Sequence, residues 1–156
     1  MFEDFLELLS AFNAHNVRYL IVGGYAVSFH AQPRVTKDID ILILPEAENA
    51  KAVYEALASF GAPLVGISVS DFSDRKKFFR IGREPVAVDI LPEIEGVDLD
   101  RAWARRVEAV IDDRRGLKAF FISKEDLVAS KLASGRPQDI ADVAAIREAD
   151  EETPSS

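Results

Sequence analysis

The chain has 156 residues, 48% hydrophobic and 29% charged, which fits one soluble globular domain and excludes an intrinsically disordered chain. It has no cysteine, which excludes disulfides, thiolate metal centres and a cysteine nucleophile and suits a reducing cytoplasm. The formal charge of −8 argues against a broad nucleic-acid binder, whose affinity comes from neutralising phosphates; no apolar run nears the ~20 residues that cross a bilayer, so no membrane is expected.

In chain order, the acidic, apolar start MFEDFLELL lacks the basic segment of a secretory signal. Phe2, Phe5, Leu6, Leu8, Leu9 and Phe12 have helical spacing, predicting a helix over 2–14. VRYLIV (17–22) is a short β-rich run ending at Gly23-Gly24, followed by a short helix over Tyr25–Ala31 that Pro33 ends. Ile39–Leu44 is a nearly continuous apolar strand, as at the centre of a covered sheet. Glu46–Phe60 is a helix closed by Gly61. Strands are expected at Gly66–Ser70, Lys77–Ile81 and Val86–Leu91, the last two joined by the turn Gly82-Arg83-Glu84-Pro85. Asp98–Arg106 is a short helix, and Val107–Ile111 with Leu117–Ile122 forms a closing hairpin. Ser123-x-x-Asp126 opens a helix to about Ser134, Gly135 stops it, and Pro137 opens a last helix to about Glu148. Residues 1–148 thus form one domain and 149–156 a disordered acidic tail. The hairpins break strict β-α-β alternation, so the expected fold class is α+β, a mixed sheet with helices packed on it.

Charge is uneven. Residues 71–120 hold 11 of the 19 basic residues and 11 acidic ones, so the flanks carry the negative excess. A local basic surface around Arg75, Lys76, Lys77 and Arg80, or Arg101, Arg105 and Arg106, competes with ordinary solvated faces. His15 and His30 stand alone and read as surface or satisfied core positions rather than ligands.

Three segments carry candidate chemistry. In a strand, Asp38 and Asp40 share a face, roughly 6–7 Å apart along the backbone, with Ile39, Ile41 and Ile43 on the other face. Two like charges there repel unless a cation neutralises them, and magnesium prefers carboxylate oxygens. The alternative is that Asp38 caps a turn and Asp40 is merely structural. In VAVDIL (86–91), Asp89 is expensive to bury without a partner, and it joins the other two acids if the strands are neighbours; otherwise it marks a frayed strand end. Gly23-Gly24 is a place where backbone N–H groups approach a phosphate at a helix N-terminus, or a plain tight turn. Its position, 14 residues before the paired acids, favours one shared cleft. Arg34 and Thr36 either touch phosphate or fix the loop. Lys131 and Arg136 either serve the site or form a solvated helix face paired to Asp139 or Asp142.

The stretch GGYAVSFHAQPRVTKDIDILI, followed by VAVDIL, resembles the signature of the polymerase-β-like nucleotidyltransferase superfamily. Within it, the minimal nucleotidyltransferases and the AbiEii-type toxin or abortive-infection proteins look closest. SKEDLVASKLASGRPQDIADV is similar to the lysine-then-Asp-x-x-Asp segment of AbiEii-like members, so the resemblance spans about residues 17 to 143. It implies that Asp38 and Asp40 bind two magnesium ions, with manganese as an alternative, and that Asp89 completes the site of the catalytic ion. It implies triphosphate contacts from Gly23 and Gly24, a phosphate or substrate contact from Lys131, and supporting roles for Asp139 and Asp142. Many members have Gly-Ser where this chain has Gly23-Gly24, so one phosphate-touching hydroxyl is missing.

The implied reaction is metal-dependent transfer of a nucleoside monophosphate from an NTP to a hydroxyl acceptor: an RNA 3′ end, a protein hydroxyl or a small molecule. A toxin–antitoxin or abortive-infection setting with a cognate partner protein is the implied context. The alternative is a non-catalytic nucleotide-binding or antitoxin-like partner that retains the fold and docks through the apolar N-terminal helix.

Overall fold

The computed structural model describes residues 1–33, 35–83 and 86–152, the side chains at 83, 86 and 152 excepted. Its elements are α1 (Glu3–Ala14), β1 (Tyr19–Val22), α2 (Gly23–His30), β2 (Ile39–Ile43), α3 (Ala47–Phe60), a 3-10 turn (Val69–Ser73), β3 (Phe79–Arg83), β4 (Val86–Leu91), α4 (Leu99–Ala104), β5 (Val107–Asp112), β6 (Leu117–Phe121), α5 (Lys124–Ser134) and α6 (Pro137–Glu152). One six-stranded sheet runs β3-β4-β2-β1-β6-β5. Its β2–β4 and β1–β6 pairs are parallel, and β3–β4, β1–β2 and β5–β6 are antiparallel. The fold is therefore the α+β mixed sheet that the broken alternation implied.

The alternating side chains of the central strands sort the molecule into layers. Tyr19, Ile21, Ile39, Ile41, Ile43, Val88 and Ile90 face α1 and α3, packing on Phe5, Leu9, Phe12, Val53 and Leu57. Leu20, Val22 and Leu42 face the other way, onto Ala26 and Val27 of α2, Ala102 of α4, Leu127 of α5 and Ile146 of α6. Covered on both sides, β1 and β2 read as continuous apolar runs, except where Asp40 interrupts the α2–α5–α6 face.

The helix ends follow local chemistry. Gly61 and Gly135 close α3 and α5 in the left-handed conformation, and Ser123 Oγ accepts the N–H of Asp126 to open α5. Among the described residues no helix is long and apolar enough to cross a membrane.

Four sequence expectations need correction. Gly66–Ser70 is not a strand: Ser68 and Asp71 form a reciprocal capping box, with the Ser68 N–H donating to Asp71 Oδ2 at 2.8 Å, and the chain turns into the 3-10 segment. Side-chain bonds of Ser and Asp to the local backbone outcompete a strand here, where Val69 is left partly exposed with no sheet face to cover it. β3 lies two residues later than expected, and α2 begins at Gly23 rather than Tyr25. α6 runs on to Glu152, so residues 149–152 continue the helix instead of starting the tail, and Asp150 ion-pairs with Lys124. Residues 153–156, and the Glu84-Pro85 part of the expected turn, lie outside the described residues.

Candidate active site

Strand register brings the acids together. In the antiparallel β1–β2 pair Val22 lies across from Asp40, and in the parallel β2–β4 pair Asp40 lies directly beside Asp89. Register partners on neighbouring strands sit about 4.8 Å apart and share a face. Asp38 precedes β2 by one residue and reaches the same cluster, because the Arg80 guanidinium contacts both Asp38 and Asp89.

Gly23 is fitted to Asp40. Its φ of +66° is a backbone conformation that glycine adopts without strain. A Cβ built there would lie 2.1 Å from Asp40 Oδ2 and 2.9 Å from its Cγ. The first glycine thus lets the chain pass from β1 into α2 in contact with the carboxylate, which neither the backbone angle nor the space would allow another residue. Gly24 lies one residue further into the helix. Replacing Gly23 by Ala is expected to lower stability by about 1–2 kcal/mol from the left-handed backbone alone. The Cβ must also push the Asp40 side chain away, so nucleotidyl transfer should fall with it. A thermal melt and a transfer assay on the same preparation check both effects.

The electrostatics are those of a crowded acidic centre. The Asp40 carboxyl is pushed up to about 6, first by burial, then by the charge of Asp89 and a hydrogen bond shared with it, and then by Asp38; Lys131 partly offsets this. Tyr25, half-buried beside Asp38, is raised by burial and by that negative charge. Arg80, opposite Asp89 in the β3–β4 register, donates from Nε to Asp89 Oδ1 (2.9 Å) and from Nη2 to Asp89 Oδ2 (3.0 Å). Nη2 also reaches Asp38 Oδ2 at 3.3 Å. Asp38 Oδ1 is buried with no hydrogen-bond partner among the described residues.

Across from the acids, α5 and α6 build the second wall. A cleft of about 250 Å³ is lined by Gly23, Asp40, Leu91, Ile94, Lys131 and Arg136, among others. Lys131 is 14% exposed and ion-paired to Asp139 (3.4 Å) and Asp142 (3.0 Å), which are themselves buried. Arg136 Nε donates to Asp139 Oδ2 at 2.9 Å, and with Lys131 it holds the Asp139 carboxyl down to about 2. Gln138 donates to Asp142 Oδ1 at 2.8 Å. Lys131 is therefore a largely buried cation pinned by two acids on the wall facing Asp40, whereas Arg136, 74% exposed, is paired to Asp139 on a solvated face. Gly96, at φ +75°, lies close against α5, where a Cβ would meet Ala133 Cβ at 2.7 Å, and this packing brings neighbouring Glu95 to the cleft.

The remaining expected residues lie at the edge. Thr36 sits on the loop before Asp38, where its carbonyl accepts a bond of 3.4 Å from the Tyr25 hydroxyl, and it lines a separate hollow with Phe2 and Val35. Arg34 lies outside the described residues. His30 is satisfied by the Ile122 carbonyl at 2.7 Å, away from the acids. The sequence reading did not link Arg80 to the acids, nor did it mark Ile94 and Glu95. The Arg80 link was available from the hairpin, since pairing counted back from residues 84 and 85 sets 80 against 89.

A mixed sheet carrying carboxylates on two adjacent central strands, with a glycine turn beside them and a cationic helix across the cleft, is the arrangement of a nucleotidyltransferase. Residues 1–149 match the model of the family described as "Nucleotidyltransferase of unknown function (DUF6036)", and the chain belongs to that family. Several solved structures share the fold, among them the following two. The lincosamide antibiotic adenylyltransferase LnuA, bound to lincomycin, is 18% identical with a TM-score of 0.58, covering 94% of this chain and 96% of its own. ANT(2″)-Ia, in complex with adenylyl-2″-tobramycin, is 16% identical with a TM-score of 0.58, covering 91% and 84%. No curated protein matches the chain in sequence.

Proposed function

We propose that this nucleotidyltransferase moves a nucleoside monophosphate from an NTP to a hydroxyl group of a small molecule, releasing pyrophosphate, in the cleft between Asp40 and Lys131. The observation that carries the reading is the side-by-side register of Asp40 and Asp89 with Gly23 in contact with Asp40. Gly23 and Gly24 open α2, whose N-terminal N–H groups favour an anion. Lys131, on the opposite wall, is placed to meet the charge of a triphosphate lying between them, and Asp139 and Asp142 hold its ammonium in place.

The donor set fits a divalent cation. Asp38, Asp40 and Asp89 offer hard carboxylate oxygens, and Asp38 Oδ1 is buried and lacks a partner among the described residues. Among the described residues no three acidic or imidazole groups enclose an ion as they stand; Arg80 lies between Asp38 and Asp89. These three aspartates would hold magnesium or manganese, with two ions expected from the family resemblance. When bound, such ions neutralise the triphosphate and lower the pKa of the attacking hydroxyl. The chain's own residues do the rest: Gly23 keeps the approach to Asp40 open, and Lys131 orients the phosphates.

A small-molecule acceptor is favoured over RNA because the chain carries a net charge of −8, whereas a polyanion needs a cationic track. Two of the solved structures that share its fold are named with lincomycin and with an adenylylated tobramycin. Incubation with α-labelled NTPs and Mg²⁺ against hydroxylated small molecules, cellular RNA and cellular protein tests the reading. Label should appear on a small molecule with release of pyrophosphate. Label found on RNA or protein instead would transfer the activity to a toxin-like setting, and no transfer from any NTP would overturn the proposal.

A further inference from the structure

β3 is the edge strand on the acid side of the sheet, and its register sets Arg80 directly across from Asp89. The guanidinium forks onto both oxygens of Asp89, at 2.9 and 3.0 Å, and one of its nitrogens also reaches Asp38 at 3.3 Å. One cation thus ties together two carboxylates that belong to different segments. The burial is lopsided. The Arg80 side chain is 49% exposed, whereas those of Asp38 and Asp89 are 22% and 13% exposed. The acids are held in the sheet and the cation stands on the rim, on a long flexible stem with solvent to move into.

The guanidinium also fits the cluster incompletely. The fork is spent on Asp89 and one oxygen of Asp38, Asp40 lies beside Asp89, and Asp38 Oδ1 remains buried without a partner among the described residues. A planar guanidinium offers its donors in one plane, whereas a divalent ion gathers oxygens from all directions. Arg80 does part of what such an ion would do.

We propose that Arg80 is a tethered counterion, occupying the cation site of the ion-free protein through Asp38 and Asp89, so that a divalent ion binds by displacing it. The inference rests on the reading of Asp38, Asp40 and Asp89 as the ion's ligands. Arg80 then keeps the acids from repelling one another before the ion arrives, and it weakens the ion's affinity by competing for the same oxygens. The displaced guanidinium stays tethered to β3 beside the acid cluster.

Titration with Mn²⁺, following the electron paramagnetic resonance signal of the free ion, tests this on the full chain without any turnover. Wild type, Arg80→Gln, Arg80→Lys and Asp89→Asn are compared, each first shown to be folded by circular dichroism. Arg80→Gln should bind Mn²⁺ about tenfold more tightly than wild type. Arg80→Lys should fall between them, because an ammonium keeps the charge but loses the fork, and Asp89→Asn should bind at least tenfold more weakly. If wild type binds, Asp89→Asn weakens binding and Arg80→Gln is no tighter than wild type, the counterion role is overturned while the cation site stands. If neither wild type nor Arg80→Gln binds Mn²⁺, the cation site itself falls and the inference with it. Should Arg80→Gln fail to fold, Arg80→Lys decides: binding tighter than wild type supports the role, and equal or weaker binding overturns it.

Discussion

Asp40→Asn is expected to abolish nucleotidyl transfer while making the ion-free protein more stable. The two effects share one cause. Asp40 sits beside Asp89 in the β2–β4 register and near Asp38, so its ionised form is disfavoured by burial and by like charge. A carboxyl raised to about 6 in the folded chain, against 3.8 ordinarily, binds its proton more tightly when folded than when unfolded. The sign follows from linkage. Below the unfolded value both states are protonated and nothing is lost. As pH rises from about 4 to about 6 the unfolded chain releases its proton first, and the folded state loses stability across that window. Above pH 6 the loss is complete and constant. An amide cannot ionise, so in EDTA at pH 7 Asp40→Asn should gain about 1–2 kcal/mol, a sum moderated by the partial solvation of the site. Its melting temperature should also lack the wild-type decline between pH 4 and pH 6. Transfer should fall by more than about 100-fold, because an amide is a poor substitute for a carboxylate in holding a divalent ion. Melting curves across pH and a labelled-NTP assay measure both. A variant that is less stable at pH 7 and equally active would contradict this placement of the charge.

Lys131→Met is expected to damage both the fold and the reaction, in amounts that can be separated. Lys131 is 14% exposed and pairs with two acids whose side chains are 2% and 3% exposed. Removing one partner of a buried ion pair costs about 3–5 kcal/mol when nothing else compensates. Here Arg136 still serves Asp139 and Gln138 still serves Asp142, so a loss of about 2–3 kcal/mol is expected. If the ammonium also holds the triphosphate, transfer by the still-folded fraction should drop about 100-fold or more, with much of the change in KM for the NTP. Lys131→Arg keeps the charge and should recover most of the stability. A methionine variant that melts lower but keeps its KM for NTP would reduce Lys131 to a structural ion pair.

Much of the site was legible in the sequence because strand geometry is simple. Alternation alone set Asp40 with Leu42 against Ile39, Ile41 and Ile43, and the two layers of the structure divide along that line. The glycine pair next to an apolar strand pointed to the β1–α2 junction, and residues of β1, β2 and β4 meet where the order of the motifs implied. The spacing could not show why Gly23 must be glycine. That reason lies 17 positions away in sequence, in the carboxylate of Asp40 against which a side chain would collide.

The misses have physical causes as well. Gly66–Ser70 offered an apolar alternation too short to hold a strand against the capping bonds of Ser68 and Asp71. The second wall of the cleft was only half visible. Lys131 and the Asp139–Asp142 pair stood out as charged residues, but their burial depends on how α5 and α6 pack, which no local pattern reports. Arg80 looked like one more surface base in a basic stretch until its register with Asp89 gave it a partner.

The central claim is that Asp38, Asp40 and Asp89 form one cation-binding centre beside Gly23. The most direct measurement is a crystal structure grown with Mn²⁺ and a non-hydrolysable NTP analogue, with the ion located by its anomalous scattering. The account predicts an anomalous peak among these three carboxylates, with the triphosphate extending from it toward Lys131. A peak elsewhere in the molecule, with Arg80 still seated on Asp38 and Asp89, would contradict it.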